Sequence, residues 1–389
     1  MTVRLSRRLA AGVAAATFAL SLGIAHAQQG VTDKEILLGE IAPMTGAAAV
    51  GSLGLTAGNL LAVLEANEQG GVNGRQLRLI SEDDGYVVAR TVQSARRLLT
   101  SERVFALPSI SGSASSDAIL PMLRESGIPA INVLSFPPSL YDPVVPNIFV
   151  AGATHPDTTF EAVRQMSALY PDRTKWAIIL PDDTLGSLMG RGVERAEKEL
   201  GTKVAYRAAY RRGQQDFSAE ILGAQRAGAD IVLAGGIVIE NIAMVRELER
   251  LQMDIPVVLS WIGRNSPNDL KPMGQAVRNV HLADYVVADE TDAARALHAL
   301  AQRLLPADRL AHVNRYTLVG YAGTRLLIDA MRRCETLTWD CTNAQLAATR
   351  NFETGIMSPI SFKETDHFSR QALSLMRVNP ATFAFEPIK

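Results

Sequence analysis

Short apolar runs alternate with segments of helical periodicity twice along this chain, and that alternation limits what it can fold into. Ile36 to Ile41 reads as a buried strand. Leu53, Ala57, Leu60, Leu61 and Leu64 then recur at helical spacing, and Gly70-Gly71 stops that helix. Gln76 to Ile80, Val104 to Leu107 and Pro129 to Val133 read as further strands, with helices around Val88 to Leu99 and Ser115 to Glu125 between them. The rhythm restarts after about residue 155. Strands are expected at Trp176 to Leu180, Val204 to Ala209, Ile231 to Ala234 and Val257 to Ser260, and helices at Leu185 to Leu200, Phe217 to Ala227 and Glu240 to Leu251. Strand-helix alternation implies parallel sheets covered on both faces. Two such runs in 389 residues imply two doubly wound lobes. A helix-rich stretch from Ala293 to Arg350 follows, with strand-like runs at Ile360 to Phe362 and Ala372 to Val378. Neither sheet is complete without this tail, so the chain is expected to cross between the lobes more than once.

The first residues form a separate object. Arg4, Arg7 and Arg8 precede an apolar stretch from Leu9 to Ile24, and Ala25-His26-Ala27 fits a small-x-small cleavage site. This pattern predicts a signal peptide cut after Ala27, and export out of the cytoplasm. The stretch is short for a span of about 20 residues. Loss of three arginines takes the net charge from -1 to -4. No later stretch reads as long and apolar enough to cross a bilayer. Without clustered Lys and Arg, no nucleic-acid partner is expected. Cys334 and Cys341, the two cysteines of the chain, are expected to form a local disulfide in an oxidising compartment, the alternative being two reduced thiols.

Ile41 to Gly46, Asn67 to Gly74, Asp83-Asp84, Ser126 to Ile131, Asp216-Phe217-Ser218 and Phe352 to Phe362 form a series whose order resembles the leucine/isoleucine/valine-binding family of periplasmic ABC-transporter receptors. Ile41-Ala42-Pro43-Met44-Thr45-Gly46 resembles the family's first strand and loop. Asn67 to Gly74 carries its helix end, Gly-Gly stop and turn, and Asp83-Asp84 its paired acids. Ser126 to Ile131, Asp216-Phe217-Ser218, and Phe352-Thr354-Gly355 with Ile360-Ser361-Phe362 continue the pattern. The resemblance implies an α/β, type I periplasmic-binding-protein fold: two doubly wound parallel-sheet lobes joined by three hinge crossovers. Lobe 1 would span 31–152 plus 286–355, and lobe 2 153–285 plus 356–389, with hinges near 151–154, 283–287 and 354–359. It also implies a non-enzymatic, periplasmic, monomeric receptor without a cofactor, which delivers a small carboxylate to an inner-membrane ABC permease complex.

Candidate ligand residues follow from the loops. Gly112, Ser113, Ala114 and Ser116 lie where a strand runs into a helix, and the first N–H groups of a helix lack internal partners and attract anions. The resemblance puts the ligand carboxylate on Ser113 and Ser116; Ser116 could instead only cap the helix. Ser135 and Phe136 follow the fourth strand, where Phe136 replaces the family's Thr and offers an apolar face or a core aromatic. In lobe 2 the family's acidic residue is absent from Ser260-Trp261-Ile262-Gly263-Arg264, and its aromatics are lost at Leu185 and Ile237, as at Val50 in lobe 1. An ammonium without an anionic partner is costly to bury. An organic acid with an apolar or aromatic body is therefore expected, with Trp261 and the cation Arg264 in the second wall. Asp182, Asp183 or Glu240 could restore an ammonium site, so a branched-chain or other hydrophobic amino acid stays an alternative, as does a sensor serving a signalling partner. The chain has no Gly-x-Ser-x-Gly elbow, phosphate loop or HExxH, and no histidine spacing that suggests a metal.

Overall fold

The computed structural model describes residues 28–46 and 48–388, so the expected signal peptide lies outside the described residues. The first lobe opens with β1 (Glu35–Ala42), α1 (Ala49–Glu68), β2 (Gln76–Asp83), α2 (Val88–Arg96), β3 (Ala106–Ile110), α3 (Ser113–Ser126), β4 (Ala130–Asn132) and β5 (Ile148–Gly152). The second runs through α4 (His155–Leu169), β6 (Lys175–Pro181), α5 (Thr184–Leu200), β7 (Lys203–Tyr210), α6 (Ser218–Arg226), β8 (Ile231–Ala234), α7 (Val238–Arg250), β9 (Val257–Leu259), the single turn α8 (Pro267–Leu270) and β10 (Val280–Asp284). The chain then returns to the first lobe with α9 (Asp292–Leu304), the single turn α10 (Ala307–Leu310), α11 (Arg315–Arg332) and α12 (Trp339–Ala347). It ends in β11 (Phe368–Arg370), β12 (Ser374–Val378) and β13 (Phe385–Pro387).

Two sheets result, with strand orders β11-β5-β4-β3-β1-β2 and β13-β12-β10-β9-β8-β6-β7. Every pairing in the first is parallel, and the second gains an antiparallel edge at β12 and β13. The tail corrects two expectations. Ile360 to Phe362 makes only an isolated bridge, Phe352 to Ile360, and no strand. β11 pairs with β5 in the first sheet, so residues 368–370 do not belong to the second lobe's sheet; the tail reaches that sheet only at β12.

α1 overturns a third expectation. It has the length of a membrane span and a mean hydropathy of 1.4, but 67% of that window is buried inside the protein. Its composition has a packing cause. A Cβ added at Gly58 would lie 2.1 Å from the Thr317 carbonyl oxygen, and one at Gly320 would lie 2.3 Å from that of Leu55. The small residues let α1 and α11 press backbone to backbone over the first sheet.

Cys334 and Cys341 are joined, closing a loop between α11 and α12. A ring this short removes little denatured-state freedom. Cys341→Ser is expected to cost about 2 kcal/mol by the loop-entropy relation, read as a lowered urea midpoint, and to leave ligand binding intact.

Candidate functional site

Ligands of open parallel sheets bind beyond the carboxyl ends of the strands. At the end of β3 the chain turns through Gly112, whose φ of +92° suits only glycine, and enters α3. The N–H of Gly112 donates to Ser135 Oγ at 2.9 Å, which ties the loop after β4 to the start of α3. Among the described residues, no acceptor meets the N–H groups of Ser113, Ala114 and Ser115. Ser113 is half-buried and Ala114 exposed. Ser116 has a different task. It is fully buried, and its hydroxyl donates to the Gly112 carbonyl at 2.8 Å, bracing the turn from behind. Ser115 is braced likewise, by Thr91 at 2.9 Å and Asp84 at 3.4 Å.

Several exposed apolar side chains follow strand ends in the two lobes. Val50 (56% exposed), Tyr86 (61%), Val87 and Val88 follow strands of the first lobe, and Ile239 follows β8 of the second. Each lies in the loop or first helical turn after a strand's carboxyl end. Among the described residues, the other exposed large apolar side chains are only Leu169 and Leu200. Tyr86 holds a φ of +63°, with its ring beside Gly112. Sequence reasoning missed Tyr86 and Ile239. An aromatic after the Asp83-Asp84-Gly85 turn was the available signal for the first, and Ile239 looked like ordinary helix.

The second wall departs from expectation. Arg264 is 1% exposed and both of its terminal nitrogens are bound: Nη1 to Asp284 at 3.0 Å, Nη2 to Asp289 at 2.7 Å and to the Val287 carbonyl at 2.8 Å. It is no free cation for a ligand, because its charge is matched within the protein. Phe136 is likewise a core aromatic, between Tyr285 and Phe368 at ring separations of 6.0 Å, and a Cβ at Gly152 would touch its ring. Leu185 packs against the second lobe's core, while Ile237 is half-buried at the start of α7. Trp261 is buried, stacked 5.3 Å from His155, with the Arg315 guanidinium 4.6 Å from its ring centre. Burial pushes the His155 imidazole down to about 4, so it is neutral at pH 7.

The floor between the lobes is a buried ion network that the sequence did not announce. Arg315, at the first turn of α11, holds Asp284 at the end of β10 through Nε at 3.0 Å and Nη2 at 2.6 Å. Burial pushes the Asp284 carboxyl up, but Arg315 and Arg264 outweigh it and hold the group below the ordinary carboxylate value. The Tyr316 hydroxyl donates to the Ile262 carbonyl at 3.0 Å, and the Tyr285 hydroxyl to the Val133 carbonyl at 2.9 Å. Two of the acids that could have met an ammonium are spent. Glu240 is buried and accepts from Tyr210, Arg212 and the Gly213 N–H, and Asp183 pairs with Arg212 at 2.6 Å. Asp182 remains exposed. No group of three or more His, Cys, Asp or Glu that could hold a metal occurs among the described residues.

Residues 35–383 match the periplasmic binding protein family. A Pseudomonas aeruginosa amino acid binding protein is 26% identical over 55% of this chain and 57% of its own length, so the chain spans somewhat over half of that relative. The Leu/Ile/Val-binding protein homolog 7 of Brucella abortus is 22% identical over 81% of both chains. Two solved structures share the fold. A fatty acid ABC transporter substrate-binding protein from Thermomonospora curvata superposes with a TM-score of 0.79 at 20% identity, over 93% of both chains. A branched-chain amino acid ABC transporter protein from Thermus thermophilus, with bound valine, also reaches 0.79, at 16% identity over 92% of this chain and 96% of its own.

Proposed function

The chain belongs to the periplasmic binding protein family, and on that premise we propose that it is the solute receptor of an ABC importer, closing two lobes on a small carboxylate with an apolar body. The observation that carries this reading is the turn at Gly112, where three N–H groups without acceptors among the described residues open α3 beside the exposed Tyr86 ring. A carboxylate placed there receives charge-assisted hydrogen bonds at the positive end of a helix. Val50, Tyr86, Val87, Val88 and Ile239 would cover the rest of the guest as the lobes close, and the permease would recognise the closed pair. Export, with removal of residues 1–27, belongs to the same reading.

Amino acid receptors among its relatives favour a second reading, a branched-chain or other hydrophobic amino acid. Against it, Glu240 and Asp183 are already committed to Arg212. Calorimetry separates the two: the organic-acid reading expects tight binding of aliphatic or aromatic acids and weak binding of leucine and valine, and the reverse order refutes it.

Ser113→Pro tests the carboxylate position. Ser113 is the first residue of α3, where proline fits the backbone and removes the N–H, and Ser113→Ala, which removes only the hydroxyl, serves as its control. Loss of one charge-assisted bond of about 1.5–3 kcal/mol should weaken acid binding by roughly ten- to a hundred-fold with an unchanged melting temperature. Unchanged affinity would show that the acid sits elsewhere.

A further inference from the structure

Beside the crossover from β10 to α9 lies a cavity of about 350 Å³, with Ser266 and Pro267 of the second lobe on one side and His298, Ala299 and Leu318 of the first on the other. We infer that this cavity is a second binding site, for a small neutral molecule that carries a hydrogen-bond donor beside an acceptor, such as a primary amide. Two side chains of its wall have unmet polar atoms. Asn265 and Arg315 are 6% and 1% exposed, and Asn265 Oδ1 and Arg315 Nη1 have no hydrogen-bond partner. Folded proteins leave few buried polar atoms in this state. One atom asks for a donor and the other for an acceptor. A carboxamide supplies both from one carbon, once both side chains shift to bring these buried atoms to the cavity surface, Arg315 within its pair with Asp284.

The charges around the cavity decide against an anionic guest. Arg315 and Arg264 are matched by Asp284 and Asp289, Arg295 pairs with Asp292, and among the described residues the Glu290 carboxylate meets only the Thr382 hydroxyl. A further negative charge would enter without a partner. The volume suits a guest the size of a benzene ring with one substituent. The loops at Gly112, Ser135 and Ile239 take no part in the wall, which meets the interlobe network at Arg315 and the Val50 carbonyl through Asn314 Nδ2. Because both lobes contribute to the wall, a guest here would bias their opening, and cleft affinity would respond reciprocally.

The test is a titration of the full exported chain with benzamide, followed through the His298 ring resonances by NMR. Benzamide should shift them saturably, with acetophenone, which keeps the acceptor and lacks the donor, at least tenfold weaker. Ala299→Trp, which fills the cavity, should abolish the shift, and Asn265→Leu should weaken binding about tenfold, both with wild-type melting temperatures. If Ala299→Trp does not fold, Asn265→Leu alone decides. No saturable shift, binding that survives these substitutions, or acetophenone binding as well as benzamide overturns the proposal, while leaving the carboxylate reading of the cleft standing.

Discussion

Asp284→Asn is expected to lower the stability of the protein by about 4 kcal/mol, the range found when one partner of a buried ion pair is removed. Asp284 is buried and bridges two guanidiniums, and Arg315 has no other carboxylate partner among the described residues. Asparagine keeps the size of the side chain and removes the charge, so the cost reports the stranded arginine rather than a cavity. Urea unfolding measures it. Adding Arg315→Met should recover part of the loss, because the uncompensated charge goes with it. A loss below about 1 kcal/mol for the single variant would mean that water reaches the network and screens it. The pH dependence has a definite sign. The carboxyl is held below its unfolded value, so its contribution is present above that value and fades as acid drives the pH through the folded one.

Glu40 should behave in the opposite sense. It lies fully buried in β1, hydrogen-bonded by Asn59 and Ser81. Burial pushes its carboxyl up to about 7, against the pull of Asn59, Ser81 and the charge of Arg309. The folded state therefore holds a proton that the unfolded chain has released, and stability falls as the pH rises from about 4.5 to about 7. At about 1.4 kcal/mol per pH unit, the loss over this window is about 3 kcal/mol. Glu40→Gln imitates the protonated form. Its urea midpoint should match the wild type at pH 4 and exceed it by the equivalent of about 3 kcal/mol at pH 8. Parallel pH profiles for the two proteins would show that Glu40 ionises freely in the fold.

The elements with the plainest periodicity were legible in the chain. β1, β2, β6 and β8 lie within or just around the expected apolar runs, and the stop at Gly70-Gly71 sits two residues past the end of α1. β5, α4 and β10 went unread. Ile148 to Gly152 follows a proline-rich loop and is brief, α4 starts at His155-Pro156 without an apolar entry, and β10 carries His281 and Asp284 inside an otherwise apolar run. The strand-to-helix turn at Gly112 was readable from its small residues, while ligand contact and helix capping at Ser116 stayed open as readings of the loop. Arg264 was not readable. Its partners lie 20 and 25 residues away in sequence, and nothing near Gly263 distinguishes a cation paired inside the protein from one facing a ligand. Phe136, left open between an apolar ligand face and a core aromatic, could not be decided for the same reason: Tyr285 and Phe368, which enclose it, are supplied by distant crossovers.

Those crossovers govern how the gene can be cut. β11 is an edge strand of one sheet, and β12, only a few residues later, joins the other. No contiguous fragment therefore encodes a complete lobe. Truncation before Phe368 would strip one outer strand from the first sheet and two from the second at once, and exchange of specificity between relatives must proceed by grafting loops, since neither half can be transplanted whole.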